Sequence, residues 1–386
     1  MKAKEGDATG APRKMEENRE ELTPMMEQYF ELCDEYDGCL VLFQVGDFYE
    51  TFCEAAEEVS RVLEITLTQR EDNSGTYPMA GIPIKSADSY IETLLDEGYR
   101  IAVADQVQDP DETTGVVRRA VTRVVTPGTV VEDELLDSED NNYIACLVGD
   151  KNETDGTGMY ALAFMDVSTG EFTATSADSV EIIRDEIERF APSEAIISPD
   201  LDGSDVSFFD SDCMVTTYDS EIFRTDEAYD LVEDYFTNPD ILLENDDELR
   251  ACGALLAYAE YTRGVDEEGE ESGELDYVNR LQRYDPREYM LLDSVALRSL
   301  EIFENRRNSV DNTLIDVLDR TSCALGGRKL KKWLRHPLVD EDEIERRLDA
   351  VDEWTRLTLQ REQVRDLLRD VYDIERLITR VSRGKA

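Results

Sequence analysis

The apolar run Cys39-Leu40-Val41-Leu42-Phe43-Gln44-Val45 reads as a buried strand, and Gly46-Asp47 reads as the turn that ends it. Strand patterns recur at 100–107 and 118–126. Helical spacing of apolar positions marks Met25 to Tyr36, Cys53 to Leu63 and Ala87 to Glu97, the last stopped by Gly98 as a C-cap. Residues 22–138 are therefore expected to form one mixed α/β unit. The acidic stretch Glu132 to Asn142 then reads as a linker.

Beyond it, Tyr143 to Val148, Met159 to Val167 and Glu171 to Ser176 alternate as successive strands, with Ser168-Thr169-Gly170 as a hairpin turn. A helix at 179–190 and a strand at Ala195 to Ser198 follow. Strand-strand-strand-helix-strand order predicts an RNase H-like α/β sheet over 139–264. A second acidic linker occupies 265–277, and from 278 to 386 the pattern is helical: Pro286 to Asn305, Thr313 to Leu318, Ala324 to Leu334, and Asp340 onward. In that last segment Ile344, Leu348, Val351 and Trp354 repeat at helix spacing, a packing stripe. Residues 1–21 are polar and charged, which predicts a disordered tail. The fold class is multidomain α/β with a helical end.

Composition changes this picture mainly through charge. Asp and Glu number 90 against 40 Lys and Arg, a formal net charge of -50. Phosphate attraction normally needs a positive face, so either the chain does not bind DNA or it works in very high salt. At about 1 M salt the screening length is roughly 3 Å, and long-range repulsion nearly vanishes. Dense carboxylates with Lys far scarcer than Arg favour the halophilic reading. The cysteines form no CxxC pairs, indicating neither zinc nor a disulfide framework and suiting a reduced cytoplasm. The single histidine, His336, reads as a packing or capping residue. No apolar run approaches the ~20 residues of a membrane span, and no signal-peptide pattern opens the chain.

The turn at Gly46 presents an aromatic, Phe48, and a carboxylate, Glu50, at the edge of a rigid strand. Apolar wedges of this kind pry base steps apart and kink duplexes. By residue type alone Phe48 and Tyr49 read as core aromatics and Glu50 as a solvated turn residue; the neighbouring motifs reverse this. Leu22-Thr23-Pro24-Met25-Met26-Glu27-Gln28-Tyr29, Gly46-Asp47-Phe48-Tyr49-Glu50, Ile65-Thr66-Leu67-Thr68-Gln69-Arg70, Met79-Ala80-Gly81-Ile82-Pro83 and Val124-Val125-Thr126-Pro127-Gly128-Thr129 occur in order. Leu314-Ile315-Asp316-Val317-Leu318-Asp319-Arg320-Thr321 and Gly326-Gly327-Arg328-Lys329-Leu330-Lys331-Lys332-Trp333-Leu334 follow much later. Across nearly the whole chain this series resembles the MutS family of DNA mismatch-repair proteins.

The resemblance implies a mismatch-recognition domain, an RNase H-like connector and the start of a helical core, or lever, region. It implies that Phe48 stacks beside a mispaired base while Glu50 hydrogen-bonds to it, and that Asp47 and the loop carrying Met79, Ala80, Gly81 and Pro83 lie near DNA. Arg70, Arg118, Arg119 and Arg123 are candidate phosphate contacts, with pairing to the abundant carboxylates as the competing role. Ile84-Lys85 stands where the family usually has Tyr-His, and Ala104-Asp105-Gln106 where Cys-Glu-Gln is common. The basic cluster Arg328, Lys329, Lys331, Lys332 and Arg335 is expected to pair within the chain with acidic helices. The sequence contains no G-x-x-x-x-G-K-[ST] phosphate loop, so ATP and Mg2+ are expected only with a further C-terminal domain, as is homodimerisation. The implied partners are mismatched double-stranded DNA and a MutL-like repair protein reached through the connector. Two alternatives remain open: a metal-dependent nuclease built on Asp166 and Glu171, and a stand-alone DNA-binding or regulatory module.

Overall fold

The structure is a computed structural model, described here over residues 22–72, 75–108, 115–132, 135–150, 159–201, 207–218, 220–265, 275–307 and 309–382. The expected tail at 1–21 and most of the linker at 265–277 lie outside the described residues. The first unit runs α1 (Pro24–Glu35), β1 (Leu40–Val45), β2 (Phe48–Phe52), α2 (Cys53–Val62), β3 (Thr68–Asp72), β4 (Gly75–Pro83), α3 (Ala87–Asp96), β5 (Ile101–Gln106) and β6 (Arg119–Val125). Its six strands are ordered β3-β4-β2-β1-β5-β6. The β1–β5 pair is parallel and the remaining pairs are antiparallel.

Alternation along β1 explains the layering. Val41 and Phe43 face α1, which buries Met26, Tyr29 and Leu32 against them. Leu40 and Leu42 face the opposite way, where α2 and α3 contribute Val59, Ile91 and Leu94. Both faces of the strand are dry, which is why it reads as a continuous apolar run.

Three strands differ from the expectation. The segment Met79–Pro83, expected as a loop, is the end of β4, and β2 and β3 were not visible in the pattern at all. Gly75, Pro78, Gly81 and Pro83 carry turn chemistry, but pairing with β2 and β3 on either side overrides it. β3, Thr-Gln-Arg-Glu-Asp, has no apolar residue and sits at the sheet edge, where none is demanded.

The second unit contains β7 (Ile144–Asp150), β8 (Met159–Asp166), β9 (Glu171–Ala177), α4 (Val180–Phe190), β10 (Glu194–Ile197), β11 (Met214–Thr217), α5 (Thr225–Tyr235), α6 (Pro239–Leu242), α7 (Asp246–Arg263) and β12 (Leu281–Arg283). The sheet order is β11-β10-β7-β8-β9-β12, an antiparallel meander of β7, β8 and β9 with β10 and β11 parallel to β7. This is the RNase H-like arrangement, extended by β12 running parallel to β9. β12 comes from the stretch after residue 278 that the pattern assigned to helix. α7 also escaped the sequence reading. Its buried residues, among them Leu249, Ala251, Cys252, Leu255, Leu256, Tyr258 and Ala259, surround the helix instead of forming one stripe.

The end region consists of α8 (Ser294–Ser299), α9 (Leu314–Leu318), α10 (Ala324–Arg335), α11 (Glu341–Arg356), α12 (Thr358–Arg369) and α13 (Ile374–Ser382). The long helix expected from Pro286 to Asn305 is absent. A 3-10 turn at Pro286–Glu288 gives way to extended chain, where Met290 N–H donates to Pro337 O at 2.8 Å. The stripe of Ile344, Leu348, Val351 and Trp354, expected to pack, is exposed in this chain. No helix of the described residues is long and apolar enough to cross a membrane.

The units are tied together by buried polar contacts. Glu194, wholly buried, accepts from Thr126 Oγ1 and Gly128 N–H (3.1 Å) of the first unit and from Tyr258 OH of the second. Arg100 donates to Tyr218 OH at 2.8 Å across the same boundary. Val265 N–H donates to Val121 O at 2.9 Å, so the chain leaving α7 lies along β6. Arg328 joins α10 to Asp373 (2.6 Å), Glu375 (2.7 Å) and Ser138 O (2.8 Å). Lys331 pairs with Asp140 at 2.7 Å and Lys332 with Glu171. The basic cluster is thus largely spent inside the molecule, on acidic residues from loops and a strand as well as from α13.

Candidate nucleic-acid interface

The β1–β2 hairpin closes through Gly46 and Asp47 between the paired residues Val45 and Phe48. Gly46 has φ 61° and Asp47 is not among the positive-φ residues, the combination a type II′ hairpin turn needs. Phe48 is 47% exposed, whereas Tyr49 is buried and donates its hydroxyl to Asp105 Oδ1 at 2.7 Å. Strand alternation therefore separates the two aromatics: one packs, the other projects.

Phe48, Glu50 and Phe52 share the α1 face of the sheet. Opposite them on β4 stand Pro83, Gly81 and Met79 respectively, and Arg70 lies one strand further out, across from Tyr77. α1 covers Phe43, Phe52 and Tyr77 but not Phe48, so the hairpin end forms an uncovered shelf. Glu50 is largely buried on this shelf and accepts from Arg70 Nη1 at 3.0 Å. Burial raises its pKa above the ordinary 4.5, and the Arg70 guanidinium opposes the shift without cancelling it. A Cβ on Gly81 would come to 3.5 Å from Tyr49 O, 3.6 Å from Glu50 Cγ and 4.0 Å from Phe48 Cδ1. Gly81 thus leaves open the space between the Phe48 ring and the Glu50 side chain.

Arg119 is the second cation of this neighbourhood. Its Nε donates to Gln44 O at 2.6 Å and its guanidinium lies 4.7 Å from the Phe43 ring centre. Burial lowers its pKa, and the nearby charge of Arg70 adds to that. The cluster Glu50–Arg70–Arg119 carries a net positive charge in a strongly acidic chain. Arg118 is exposed at the foot of β6, its amide donating to Gln108 Oε1 at 3.1 Å. Asp47 is exposed in the turn, and its carbonyl accepts Ile84 N–H at 3.0 Å.

Two sequence candidates fall elsewhere. Ala80 is completely buried on the opposite face with Ile82. Arg123 pairs with Asp88 of α3 at 3.3 Å and with Glu132, both away from Phe48. Leu67, just before β3, is an exposed apolar side chain, 44% exposed.

The nuclease residues are occupied by protein groups. Asp166, fully buried, accepts from Ser168 N–H and Oγ at 2.9 and 2.6 Å and from Asn141 Nδ2 at 2.7 Å. Glu171 is engaged by Lys332 and by Tyr143 OH at 3.1 Å. Among the described residues no group of three or more His, Cys, Asp or Glu could hold a metal ion. Asp166 thus acts as the cap of the β8–β9 turn.

Fold and site define a three-part chain: an α/β unit with an exposed aromatic at a hairpin end, an RNase H-like unit and a helical end. Models of MutS domain I, domain II and domain III match residues 23–134, 142–266 and 295–386. DNA mismatch repair protein MutS 2 of Haloarcula marismortui is 56% identical over 98% of this chain and 41% of its own length. DNA mismatch repair protein MutS of Natronomonas pharaonis is 58% identical over 98% and 43%, and that of Acetivibrio thermocellus 38% over 95% and 42%. The chain belongs to the MutS family. Its similarity to halophilic homologues agrees with its charge, and it spans between 41 and 43% of the length of these curated relatives.

Proposed function

We propose that this chain recognises mispaired or unpaired positions in duplex DNA, with Phe48 as the wedge and Glu50 as the base-reading partner. The observation that carries this reading is the uncovered shelf, where an exposed aromatic on a tight hairpin stands beside a shielded carboxylate and two arginines. Inserting the ring costs a few kcal/mol of unstacking, least where pairing is already faulty, so the local weakness of the duplex becomes the signal. Asp47, Met79, Gly81 and Pro83 line the approach, and Arg70, Arg118 and Arg119 supply the phosphate contacts. The role is binding rather than catalysis, exercised in the cytoplasm. For the full family length the proposal extends to coupling with ATP and Mg2+, homodimerisation and a MutL-like partner at the second unit; no residue described here is assigned to those steps.

The test is competition binding in molar KCl between a duplex with one mispair and its fully paired counterpart. The chain is expected to prefer the mispair, and Phe48→Ala to remove the preference while leaving the fold intact by circular dichroism. Undiminished discrimination by that variant would overturn the wedge assignment.

A further inference from the structure

The hairpin that carries Phe48 is attached to the rest of its sheet in two different ways. The parallel ladder between β1 and β5 ends at the pair Phe43–Ala104, two residues short of the turn at Gly46. Beyond that pair, on the β5 side, side chains take over from the ladder. Gln44 Oε1 accepts Gln106 N–H at 2.7 Å, and Arg119 Nε donates to Gln44 O at 2.6 Å. Tyr49, opposite Gln44 on β2, reaches over β1 and donates its hydroxyl to Asp105 Oδ1 of β5 at 2.7 Å.

The Tyr49–Asp105 bond is secured at both ends. The Tyr49 ring packs with Leu40 and Leu42 on the α2 and α3 face of the sheet. Burial and the Asp105 carboxylate push its hydroxyl pKa up, so the group keeps its proton and stays a donor. The second Asp105 oxygen, Oδ2, accepts Thr122 Oγ1. Thr122 is the extra residue of a bulge in β6: Val103 stands opposite Arg123 and Ala104 opposite Val121, which leaves Thr122 between them. A bulge re-aims the side chain it carries, and here that side chain meets the carboxylate. Hydrogen bonds to a carboxylate are about twice as strong as neutral ones, so two hydroxyls on one Asp make a firm anchor.

Tyr49 stands between Phe48 and Glu50, and strand alternation puts its ring on the face opposite theirs. Phe48 is half-exposed and uncovered by α1, so little on its own face fixes its direction. That direction is set through the backbone, by whatever holds Tyr49. We propose that Tyr49 and Asp105 are positioning residues for Phe48: their bond, backed by Thr122, braces the hairpin end at the angle from which the ring enters a duplex. The proposal rests on the wedge reading of Phe48. Neither side chain lies on the shelf, so the pair acts through the hairpin and not by contact with DNA.

Amide hydrogen exchange over residues 44–50 tests the brace without DNA. Tyr49→Phe, which removes only the hydroxyl, and Asp105→Ala should each speed that exchange by about ten-fold, with residues 144–150 of β7 unchanged. Asp105→Asn, which keeps an acceptor oxygen for Tyr49, should change it less. Competition binding in molar KCl reads the consequence. Tyr49→Phe and Asp105→Ala should lower the preference for a mispaired over a paired duplex by about three- to ten-fold, with paired affinity unchanged, and Asp105→Asn should retain most of it. Tyr235→Phe, which removes a hydroxyl bonded to Glu260 at 2.7 Å in the second unit, should leave both hairpin exchange and preference as in the parent. Unchanged exchange over 44–50 in Tyr49→Phe and Asp105→Ala folded by circular dichroism would overturn the proposal. So would a preference retained despite faster exchange, or equal weakening of mispaired and paired duplexes. A parent chain with no preference would instead sink the mismatch reading, and the exchange measurement alone would then decide whether the pair braces the hairpin.

Discussion

Glu50 is the residue on which the chemistry of the shelf turns. Its folded-state pKa lies above the ordinary 4.5 because burial outweighs the attraction of Arg70. A raised acid binds its proton more readily when folded. The stability gained from that proton is fully present below 4.5 and is lost as pH rises through the raised value. Binding follows the same direction: a protonated carboxyl can donate to a base and no longer repels phosphate. Mispair affinity should therefore rise as pH falls through the raised value, and Glu50→Gln should flatten the profile. Arg70→Gln removes the opposing charge, so its profile should move to higher pH; an unmoved profile would mean that Arg70 does not govern the carboxyl.

Two glycines of the same region do different work, and substitution separates them. Gly46 has φ 61° with nothing within 4 Å of an added Cβ, so Gly46→Ala meets backbone strain alone and should cost about 1 kcal/mol. Gly81 has room for ordinary contact, so Gly81→Ala should leave the melting temperature nearly unchanged while weakening DNA binding by about ten-fold. Thermal melting read beside DNA titration distinguishes strain from obstruction.

Elements were legible in the sequence wherever burial made one clean period. β1, β5 and β6, and the helices α1, α2 and α3, stood close to their expected bounds because each presents continuous or one-sided apolar positions. β4 was hidden by Gly and Pro whose turn chemistry its partners override, and α7 by being buried all round. The site followed the same rule. The hairpin position of Phe48 and Glu50 was legible from the strand and turn pattern, whereas Arg123, four residues from Arg119 on one strand, is turned to the other face by the register shift opposite Val103 and Ala104, which spacing cannot reveal.

At this scale Glu194 of β10 is the sharpest target. Glu194→Ala would leave Tyr258 and Thr126 hydroxyls buried beside a void and should cost on the order of 2–4 kcal/mol in denaturant unfolding. Glu194→Gln, which keeps the shape and an acceptor, should cost less. Burial raises the Glu194 pKa, against the hydrogen bonds of Thr126 and Tyr258. Its proton-linked stability is present below 4.5 and lost as pH rises through the raised value. The stability difference between the parent and Glu194→Gln should accordingly shift in favour of the parent on acidification.

For the whole molecule the governing quantity is a net charge of -50. At about 0.1 M salt the screening length is near 10 Å, long enough for surface carboxylates to repel one another across the structure. The chain should lose stability steeply when molar salt is diluted to that level, followed by circular dichroism at fixed temperature. With few cations at the shelf, little counterion release is available, so mispair affinity should change with salt far less steeply than for a basic DNA-binding protein. A steep fall of affinity with added salt would place the phosphate contacts elsewhere.

The bond set at Glu194 has a mechanical consequence. A wedge that bends a duplex feels an equal and opposite torque, and a sheet free to swivel would yield to it. Here Thr126 and Gly128 of the first unit are bolted to the same buried carboxylate as Tyr258 of α7, and Val265 grips the outer edge at Val121. On the proposed wedge role of Phe48, a load on its ring would pass into the second sheet, so the stiffness of that joint, as much as the ring itself, would set how sharply DNA is kinked.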